Sequence, residues 1–564
     1  MKQVDLLVVG SGAAGFSAAL AGKDAGLDVL MIEKEPLFGG TTSYSAGVIW
    51  IPGNRHGRAL GIADSKEDAL TYLQHEAGNR LNAELAHAFL DNCNPAVEFL
   101  ENNTHVRYIA VPIWADYHPT KPGAAQGGRS LLPEPFDGRR LGKRFAELRP
   151  PLRTMMAFGG MMVGRGDLPH VFNLTRSARS MLHVAGLVAR YAVDRLSHHR
   201  GTRLSNGNAL IAAMALSAFE RGIELRLSTP VVELVSRDGR VTGVIVERDG
   251  RREEIAARRG VVLACGGFPA NAELQQRYYG HVRNGHSHRS APPSGNRGDG
   301  IRLAGAVGGT LAEDVAHAAA WVPVSLMPQP GGGTLPFPHF FDRGKPGYIA
   351  IDPAGRRFAN EAVSYHDFVP AMVESCRERA DTHCWLLCDH RAIRRYGMGG
   401  IGPTPMPLGP HLRSGYLVGA PSWPELAGRI GVDAAVLQQT VARYNEGAAR
   451  GEDREFGKGT DAYHRFNGDP NHEGPNPCIA PLARAPYYAM KLVPGDIGTF
   501  LGLRVDGSAR VLDTAGRPIP GLYAAGNDMT SVMGGTYPGA GITIGPALTF
   551  GYIAARHAAA AVPS

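Results

Sequence analysis

The sequence is poor in cysteine, and its few cysteines are not arranged like metal ligands. Six cysteines occur in 564 residues. Cys384 and Cys388 are one helical turn apart, but no second pair stands at a spacing that completes a four-ligand site. The pattern therefore argues against a metal centre. We expect the cysteines to be reduced core residues of a cytoplasmic protein.

Long apolar runs and concentrated positive charge are also missing. No apolar run reaches the length of a membrane span, and an apolar strand begins where a signal peptide would have its charged segment, so we expect neither. The net charge of +7 is modest for the length. Because no basic run is interleaved with aromatic residues, we also expect no nucleic-acid partner.

The composition is that of an ordinary globular protein. Hydrophobic residues make up 44% and charged residues 20% of the sequence, and 564 residues predict two or three domains. The 73 glycines show no period, so they do not indicate a repeat. They indicate many turns and close approaches of the backbone to a ligand.

The chain opens with an apolar run and a glycine turn. Residues 5–9 are long enough for a buried parallel strand. Gly10, Gly12 and Gly15 follow at the spacing of a dinucleotide turn. The first glycine permits the tight turn, the second lets the backbone approach a diphosphate, and the third lets a helix pack on the strand.

A helix, a second strand and an acid complete this pattern. Good helix formers follow from Ala13, and Gly26 is placed to end the helix. Residues 27–32 predict a second strand, and Glu33 comes directly after it. A carboxylate there can accept both hydroxyls of an adenosine ribose, with the diphosphate at the helix N-terminus. The pattern therefore predicts a dinucleotide site rather than a structural glycine turn.

Two stretches of this region resemble a known flavoprotein superfamily. GSGAAG at 10–15, its spacing to Glu33, and SAGVIWIPGN at 45–54 are similar to fumarate reductases and 3-ketosteroid dehydrogenases. The ending WIPGN resembles the ketosteroid branch. The resemblance covers most of the chain and is least typical at about 120–200. It implies an α/β fold with a Rossmann-like FAD-binding domain and an inserted α+β catalytic domain.

The resemblance also implies boundaries within the chain. We predict FAD-binding segments at 1–107, 190–313 and 490–564, a helical or lid insertion at 108–189, and a catalytic substrate-capping domain at 314–489. From the local pattern we expect a helix over 208–221, strands at 223–227 and 229–234, and a hairpin turn at Asp238-Gly239. A last helix should begin at about Ile542.

The cofactor implied by the resemblance is one FAD. No histidine lies in residues 39–45, where reductases with covalent flavin have theirs, so we expect non-covalent binding. No second strand-framed glycine pattern occurs, which predicts no NAD site and an external, quinone-like electron acceptor. The positions that match the family's FAD contacts are Gly10, Ser11, Gly12, Ala13, Ala14, Gly15, Glu33, Lys34, Gly40, Thr41, Thr42, Ser45, Ala46, Gly47, Val231, Ala264, Gly266, Gly267, Asp299, Gly526, Asn527, Gly541, Ile542 and Thr543.

Three motifs separate the two reaction classes of the superfamily. Tyr365 stands four residues after Glu361, where the reductases have a proton-donating arginine. Tyr537 stands where they have a carboxylate-binding arginine, and residues 496–499 lack their substrate-binding histidine. Losing every cationic anchor is hard to reconcile with a dianionic substrate. The motifs therefore favour a ketone dehydrogenase.

The resemblance assigns roles to four residues. The Tyr537 hydroxyl and the Gly541 N–H would hold the ketone oxygen. Tyr365 would take the proton from the adjacent carbon, and Tyr117 would ease its deprotonation. His118 and His366 each follow one of these tyrosines and are candidates to tune them, although surface or core roles are the simpler interpretation.

The activity implied is 1,2-desaturation of a 3-ketosteroid. Desaturation at carbons 4 and 5, or of a smaller cyclic ketone, is the nearest alternative. A fumarate-reductase-like enoate reductase and a passive electron-relay flavoprotein are further alternatives. The missing cationic anchors argue against the former, and the tyrosine set argues against the latter.

A methionine-rich stretch suggests where a water-insoluble substrate would enter. Residues 155–163, MMAFGGMMV, are apolar and interrupted by glycines, which is typical of irregular core or of a lipophilic lid. Residues 181–196 carry arginines and histidines on one side of a helical pattern. Together the two segments predict peripheral contact with a membrane surface.

Overall fold

A computed structural model describes residues 2–248 and 250–561. Its strands are β1 Lys2–Val9, β2 Val29–Ile32, β3 Ile49–Trp50, β4 Tyr108–Ala110, β5 Ser130–Pro133, β6 Phe136–Asp137, β7 Arg203–Leu204, β8 Glu224–Arg226, β9 Val231–Arg237, β10 Arg240–Arg248, β11 Arg251–Leu263, β12 Arg289–Ser290, β13 Leu311–Ala312, β14 Ala319–Pro328, β15 Thr334–Pro338, β16 Tyr348–Ile351, β17 Cys384–Asp389, β18 Val418–Ala420, β19 Tyr487–Thr499, β20 Gly502–Leu503, β21 Arg510–Leu512 and β22 Pro518–Ala524.

The α-helices lie between and around these strands. They are α1 Ala13–Asp24, α2 Arg55–Ala59, α3 Lys66–Ala77, α4 Ala83–Asn103, α5 Leu168–Phe172, α6 Ala178–Asp194, α7 Asn206–Glu220, α8 Ala272–Tyr278, α9 Gly280–Arg283, α10 Asp299–Ala306, α11 Tyr365–Ser375, α12 His390–Tyr396, α13 Gly409–Arg413, α14 Trp423–Ile430, α15 Ala434–Ala448, α16 Ala462–Asn467 and α17 Ile544–Ala560.

An eight-stranded sheet organises the nucleotide domain. Its central path runs β21-β22-β11-β1-β2-β8, and β1 pairs in parallel with both β11 and β2. Leu6, Leu7 and Val8 of β1 are fully buried, as expected for a central strand of a parallel sheet. α1 packs against α17 and α7 on one face. The first strand, turn, helix and second strand follow the order that the sequence predicts.

A second sheet of seven strands forms the core of the inserted domain. Its path is β15-β14-β19-β17-β16, with β12 and β18 also paired to β19. One half of β19 pairs with β17, from Tyr487 to Leu492, and the other half pairs with β14. The last residues of β19 therefore reach the junction with the nucleotide domain.

The local predictions agree with most of the observed elements. α7, β8 and β9 lie where a helix and two strands are expected. Asp238 and Gly239 have φ angles of +51° and +74°, and a two-residue type I′ hairpin turn requires positive φ at both of its central residues. The last helix begins at Ile544. Five cysteines are buried, whereas Cys265 is partly exposed in a cavity wall.

Candidate active site

A long cavity opens at the carboxyl edge of the parallel strands. Its wall contains the residues that directly follow four of them: Gly10 after β1, Glu33 after β2, Ala264 after β11 and Ala525 after β22. The carboxyl ends of parallel strands meet at one edge of a sheet, which is where open α/β sheets bind ligands. The sheet therefore brings four distant segments together on one binding surface.

The glycine turn after β1 is held by close backbone contacts. Gly10 has a φ of +111°, and a Cβ there would lie 2.1 Å from the carbonyl oxygen of Ala264. A Cβ at Gly15 would lie 2.1 Å from the carbonyl oxygen of Gly10. At Gly12, by contrast, a Cβ would meet only Thr42 Oγ1, at 3.7 Å. The fold does not itself require glycine at position 12, which agrees with the prediction that Gly12 lets a diphosphate approach the backbone.

Glu33 faces the same cavity and is held in place by its neighbours. Its Oε2 accepts hydrogen bonds from the Ser11 backbone N–H at 3.2 Å and from Ser11 Oγ at 2.5 Å. Its Oε1 accepts from the Glu35 N–H at 3.0 Å. A carboxylate has about four acceptor positions, so Glu33 keeps capacity for ribose hydroxyls.

Most residues predicted to contact FAD line this cavity, but three do not. Gly15 packs α1 onto the turn, Gly267 donates its N–H to Asp528 Oδ1 at 3.1 Å, and Ile542 is buried in the core. The lining positions are Gly10, Ser11, Gly12, Ala13, Ala14, Glu33, Lys34, Gly40, Thr41, Thr42, Ser45, Ala46, Gly47, Val231, Ala264, Gly266, Asp299, Gly526, Asn527, Gly541 and Thr543.

Sequence reasoning missed several polar residues of the wall, of which Arg149 is the clearest. Arg149 is 9% exposed, and its Nε has no hydrogen-bond partner among the described residues. One Nη lies 3.7 Å from the Glu35 carboxylate. A buried guanidinium with a spare donor, in the wall of the same cavity as the glycine turn, suits an anionic ligand such as a diphosphate. No motif marks Arg149 in the sequence, since it lies in the least typical part of the chain.

Three tyrosines meet at the other end of the cavity. Tyr117 comes from the loop after β4, Tyr365 from the first turn of α11, and Tyr537 from the loop before α17. Tyr117 donates its hydroxyl to that of Tyr365 at 3.0 Å. The Tyr537 ring is stacked on Tyr117 with centroids 5.4 Å apart, and it meets Tyr365 edge-on at 5.2 Å. The fold thus brings together three of the four predicted catalytic residues as one cluster.

Gly541, the fourth, lies on the same loop as Tyr537. Its φ is +99°, and a Cβ there would lie 2.5 Å from the carbonyl carbon of Ile49, so only glycine fits. No hydrogen bond joins the Gly541 N–H to another described residue. An unpaired N–H in a cavity wall is suited to donate to a ligand oxygen.

A shared acceptor holds the Tyr117 and Tyr537 loops together. The carbonyl oxygen of Pro538 accepts the Tyr117 N–H at 2.8 Å and the Tyr72 hydroxyl at 2.7 Å. Beside it, Trp50 donates its indole N–H to Asp116 at 2.8 Å. Asp116 is also paired with the buried Arg129, at 2.8 Å. These contacts fix the tyrosine-bearing loops to the nucleotide domain.

Burial raises the pKa of all three cluster tyrosines. The pKa of Tyr117 and that of Tyr365 are raised well above the usual value, and the pKa of Tyr537 is raised to about 12. Burial is the largest cause for Tyr365, and the neighbouring Tyr117 and Tyr537 raise its pKa further. All three residues therefore carry their protons at neutral pH, and easier deprotonation of Tyr365 remains a prediction.

The walls around the tyrosines are apolar, and the charged residues lie elsewhere. Lys34 is paired with Asp299, and Arg302 donates to the carbonyl oxygen of Val232 at 3.1 Å. With Arg149, which lies 3.7 Å from Glu35, these are the basic residues of the wall among the described part of the chain. Phe340 packs edge-on against Tyr365 at 5.0 Å and also contacts Phe341, which in turn contacts Trp114. Further apolar residues of the cavity wall are Val48, Leu152, Met155 and Pro338.

Comparison with known proteins agrees with this arrangement. Residues 5–544 match the family described as FAD binding domain. The chain is also 37% identical over 578 residues to the 3-oxosteroid 1-dehydrogenase of Mycobacterium tuberculosis, with 99% of each chain covered. The chain belongs to the FAD-dependent 3-ketosteroid dehydrogenase family. The resemblance seen in the sequence, the fold class and the FAD cofactor are thereby confirmed.

Two further relatives bear on which substrate the chain takes. The crystal structure of the 3-ketosteroid delta1-dehydrogenase of Sterolibacterium denitrificans, in complex with 1,4-androstadiene-3,17-dione, matches with a TM-score of 0.90 at 37% identity, covering 99% of this chain and 100% of the other. The 4-oxocyclohex-2-ene-1-carboxylate 5-dehydrogenase of Sinomonas cyclohexanicum is 42% identical over 556 residues, with 98% of this chain and 93% of that enzyme covered. The relatives thus differ in the cyclic ketone that their names give.

We predict that the FAD of this dehydrogenase is not covalently bound. No histidine lies in residues 39–45, and none lines the cavity within the described ranges. Acid precipitation should therefore release all of the yellow flavin into the supernatant, where its absorbance is measured. Flavin that remained with the washed precipitate would contradict the prediction.

Proposed function

We propose that the protein introduces a carbon–carbon double bond next to the ketone of a neutral polycyclic ketone, by 1,2-desaturation of a 3-ketosteroid. The observation that carries the proposal is the Tyr117–Tyr365–Tyr537 cluster at the apolar end of a cavity whose other end fits a dinucleotide. A steroid offers one ketone oxygen for the donors and apolar rings for the walls.

Two donors on one loop suit the ketone oxygen. The Tyr537 hydroxyl and the Gly541 N–H would donate to it and stabilise the negative charge that develops on it. Each such donor contributes about 3 kcal/mol to the transition state. Tyr537, with a pKa of about 12, keeps its proton at any working pH and so remains a donor.

Tyr365 is placed to take the proton from the adjacent carbon. It belongs to the inserted domain and faces Tyr537 edge-on, so a ring held at Tyr537 would present its neighbouring carbon to Tyr365. Tyr117 donates to the Tyr365 oxygen and would stabilise the phenolate that accepts the proton. FAD, when bound, supplies the hydride acceptor at N5 of its flavin ring. Its reoxidation is assigned to an external, quinone-like acceptor.

The basic residues of the wall argue against a dicarboxylate reductase. Lys34 and Arg302 have protein partners, and Arg149 lies beside Glu35. Burying two carboxylates at the tyrosine end, where the described wall has no cation, would cost several kcal/mol for each. A fumarate-like substrate is therefore not favoured.

A carboxylated cyclohexenone is the second candidate substrate. The relative from Sinomonas cyclohexanicum, which is 42% identical, is named for 4-oxocyclohex-2-ene-1-carboxylate. Its ketone would use the same two donors, but its carboxylate would need a cation that the apolar end does not provide. We therefore rank it below the neutral ketosteroid.

Product analysis tests this proposal. The enzyme is incubated with 5α-androstane-3,17-dione and an artificial electron acceptor, and the product is examined by mass spectrometry and NMR. A product lighter by two hydrogens with a new 1,2 double bond is expected. A product with a 4,5 double bond would show that the proposed 1,2 position is wrong. Turnover of 4-oxocyclohex-2-ene-1-carboxylate but of no steroid would show that the proposed substrate class is wrong.

We also propose that the protein rests on anionic membrane surfaces through α6. Met181, Leu182, Val193 and Leu196 form an exposed apolar stripe, 53%, 69%, 65% and 86% exposed respectively. Met155 is 42% exposed and also lines the cavity. The Tyr191 hydroxyl of α6 donates to the carbonyl oxygen of Phe158 at 3.0 Å, so α6 packs against the segment that contains Met155. Exposed arginines at 179, 190 and 195 suit anionic headgroups. Among the described helices, none is both long and apolar enough to cross a bilayer.

Liposome flotation tests the membrane proposal. The parent protein should float with vesicles that contain phosphatidylglycerol, because the stripe would bury apolar area next to cationic side chains. A Leu182→Glu/Leu196→Glu variant should stay at the bottom of the gradient. Leu412→Glu is the matched control, since Leu412 is 40% exposed on another helix. A parent protein that does not float with any vesicle would overturn the proposal.

A further inference from the structure

His118, the residue after Tyr117, lies between two carboxylates from different parts of the fold. Its Nδ1 is 2.8 Å from Glu76 Oε1, and its Nε2 is 2.9 Å from Asp367 Oδ2. Glu76 belongs to α3, and Asp367 belongs to α11 of the inserted domain. One imidazole ring therefore connects the Tyr117 loop to both domains.

On the α3 side, two residues one helical turn apart hold the loop. The Glu76 side chain is 2% exposed and also pairs with Lys121 at 3.0 Å. The Tyr72 hydroxyl accepts the His118 backbone N–H at 3.2 Å and donates to the Pro538 carbonyl. Because residues four apart lie on one face of a helix, α3 fixes both the backbone and the side chain of His118.

On the other side, His118 reaches the first turn of the helix that carries Tyr365. Ser364 caps this helix, and its Oγ accepts the Asp367 N–H at 3.1 Å. The same Oγ donates to Asp367 Oδ2 at 2.6 Å, so the carboxylate is fixed relative to the cap. Tyr365 is the first residue after the cap. A displacement of Asp367 would therefore also displace Tyr365, which lies in the same helical turn.

We propose that His118 is a positioning residue that sets the separation of the Tyr117 and Tyr365 hydroxyls across the domain junction. Both tyrosines are close in sequence to this contact: Tyr117 precedes His118, and Tyr365 stands two residues before Asp367. Their hydroxyls are 3.0 Å apart although 248 positions separate them in sequence. The inference rests on the proposed function, in which this pair handles the substrate proton.

Histidine suits this task because its ring holds two donors at opposite edges in a rigid geometry. Burial alone would lower the pKa of His118, but the hydrogen bonds to Asp367 and Glu76 outweigh it and raise the pKa to about 10. Both nitrogens therefore carry protons at neutral pH and both donate. Because the folded pKa exceeds 6.5, the linked stabilisation is complete below that pH and is lost as pH rises towards 10.

Three substitutions separate the two contacts. His118→Gln keeps a donor near the position of Nε2, and so near Asp367. His118→Asn keeps a donor near the position of Nδ1, and so near Glu76, whereas His118→Ala removes both. His75→Gln is the matched control, because His75 is exposed on α3 next to Glu76 and its ring forms a hydrogen bond with the Thr71 carbonyl of its own helix.

The rate of flavin reduction per bound FAD is measured by anaerobic stopped flow with androst-4-ene-3,17-dione. His118→Ala should lower this rate about 100-fold, as a displacement of about 1 Å in a reacting pair does, with a substrate Kd within about threefold of the parent. His118→Gln should retain more activity than His118→Asn, since only the glutamine keeps the contact to Asp367. His75→Gln should match the parent.

A substrate deuterated at carbon 2 distinguishes positioning from a merely structural role. If the tyrosine pair is displaced, proton removal becomes more rate-limiting, and the isotope effect on flavin reduction should be larger in His118→Ala than in the parent. If His118→Ala does not retain FAD, the order of the glutamine and asparagine variants decides instead.

Two results would overturn the inference. One is an unchanged rate and isotope effect in fully flavinated His118→Ala. The other is an asparagine variant at least as fast as the glutamine variant. A parent enzyme whose flavin no cyclic ketone reduces would instead refute the proposed function, so the two failures are distinct.

Discussion

Flavin reduction in Tyr365→Phe should be about 10³-fold slower than in the parent, in line with the loss of a general base. The substitution removes only the hydroxyl oxygen, so the ring should keep its edge-on packing against Tyr537 and Phe340. FAD content and the Kd of a 3-ketosteroid should therefore stay within about threefold, because a lost base affects the rate and not the affinity. Anaerobic stopped flow gives both the rate and the Kd.

The pH dependence of the same step is part of this prediction. Burial raises the pKa of Tyr365 well above its usual range, so the phenolate form is scarce at neutral pH. The parental rate should rise with pH from 7 to 10 by up to about tenfold per unit, since the phenolate fraction grows by that factor below the pKa. Tyr365→Phe should lack this rise.

Tyr444→Phe serves as the matched control for Tyr365→Phe. Tyr444 is also buried, and its hydroxyl has no partner in the described part of the chain. It packs against Arg357, outside the cavity wall. Its variant should reduce flavin at the parental rate. A Tyr365→Phe enzyme that did the same would show that Tyr365 is not the base.

The second large effect is expected at Tyr537. Tyr537→Phe should slow flavin reduction by about 10² to 10³-fold, which is the usual loss for one donor to a developing oxyanion. Gly541 would remain as the other donor, so a residual rate should persist. The alkaline rise in rate should also persist, because Tyr365 is intact. The pH dependence of the rate therefore distinguishes the loss of the hydrogen-bond donor Tyr537 from the loss of the base Tyr365.

A charged replacement at the same position tests the substrate class. Tyr537→Arg should abolish ketone oxidation and should not confer appreciable fumarate reduction. A single arginine cannot satisfy two carboxylates at an end of the cavity where the described wall is otherwise apolar. Brisk fumarate turnover by this variant would contradict our assignment of the apolar end, and a parental rate in Tyr537→Phe would remove Tyr537 from the mechanism.

The nucleotide end of the site could be predicted because its signals are local. The glycine turn and Glu33 lie within one strand–helix–strand unit, where each residue type has a steric or hydrogen-bonding reason. Not all of the predicted FAD contacts lie in the cavity wall. Gly267 and Ile542 stand in the expected loops, but the Gly267 N–H is bound to Asp528, and Ile542 is a buried core residue.

The tyrosine cluster at the other end could be predicted only by family resemblance, because its residues come from distant segments. Nothing local marks Tyr117, which lies in an ordinary proline-bounded loop, and its contact with Tyr365 depends on how two domains pack. The contacts of His118 with Glu76 and Asp367 arise in the same way. Arg149 was missed for a related reason: its only signal is a buried donor without a partner, which a sequence cannot show.

Anaerobic mixing of the oxidised enzyme with a panel of candidate substrates tests the central claim most directly. The panel contains androst-4-ene-3,17-dione, 4-oxocyclohex-2-ene-1-carboxylate and succinate, and the loss of flavin absorbance is followed. We expect the neutral ketosteroid to bleach the flavin fastest, succinate to leave it oxidised, and fumarate not to reoxidise the reduced enzyme. Bleaching by succinate together with rapid reoxidation by fumarate, and no response to any cyclic ketone, would contradict the account.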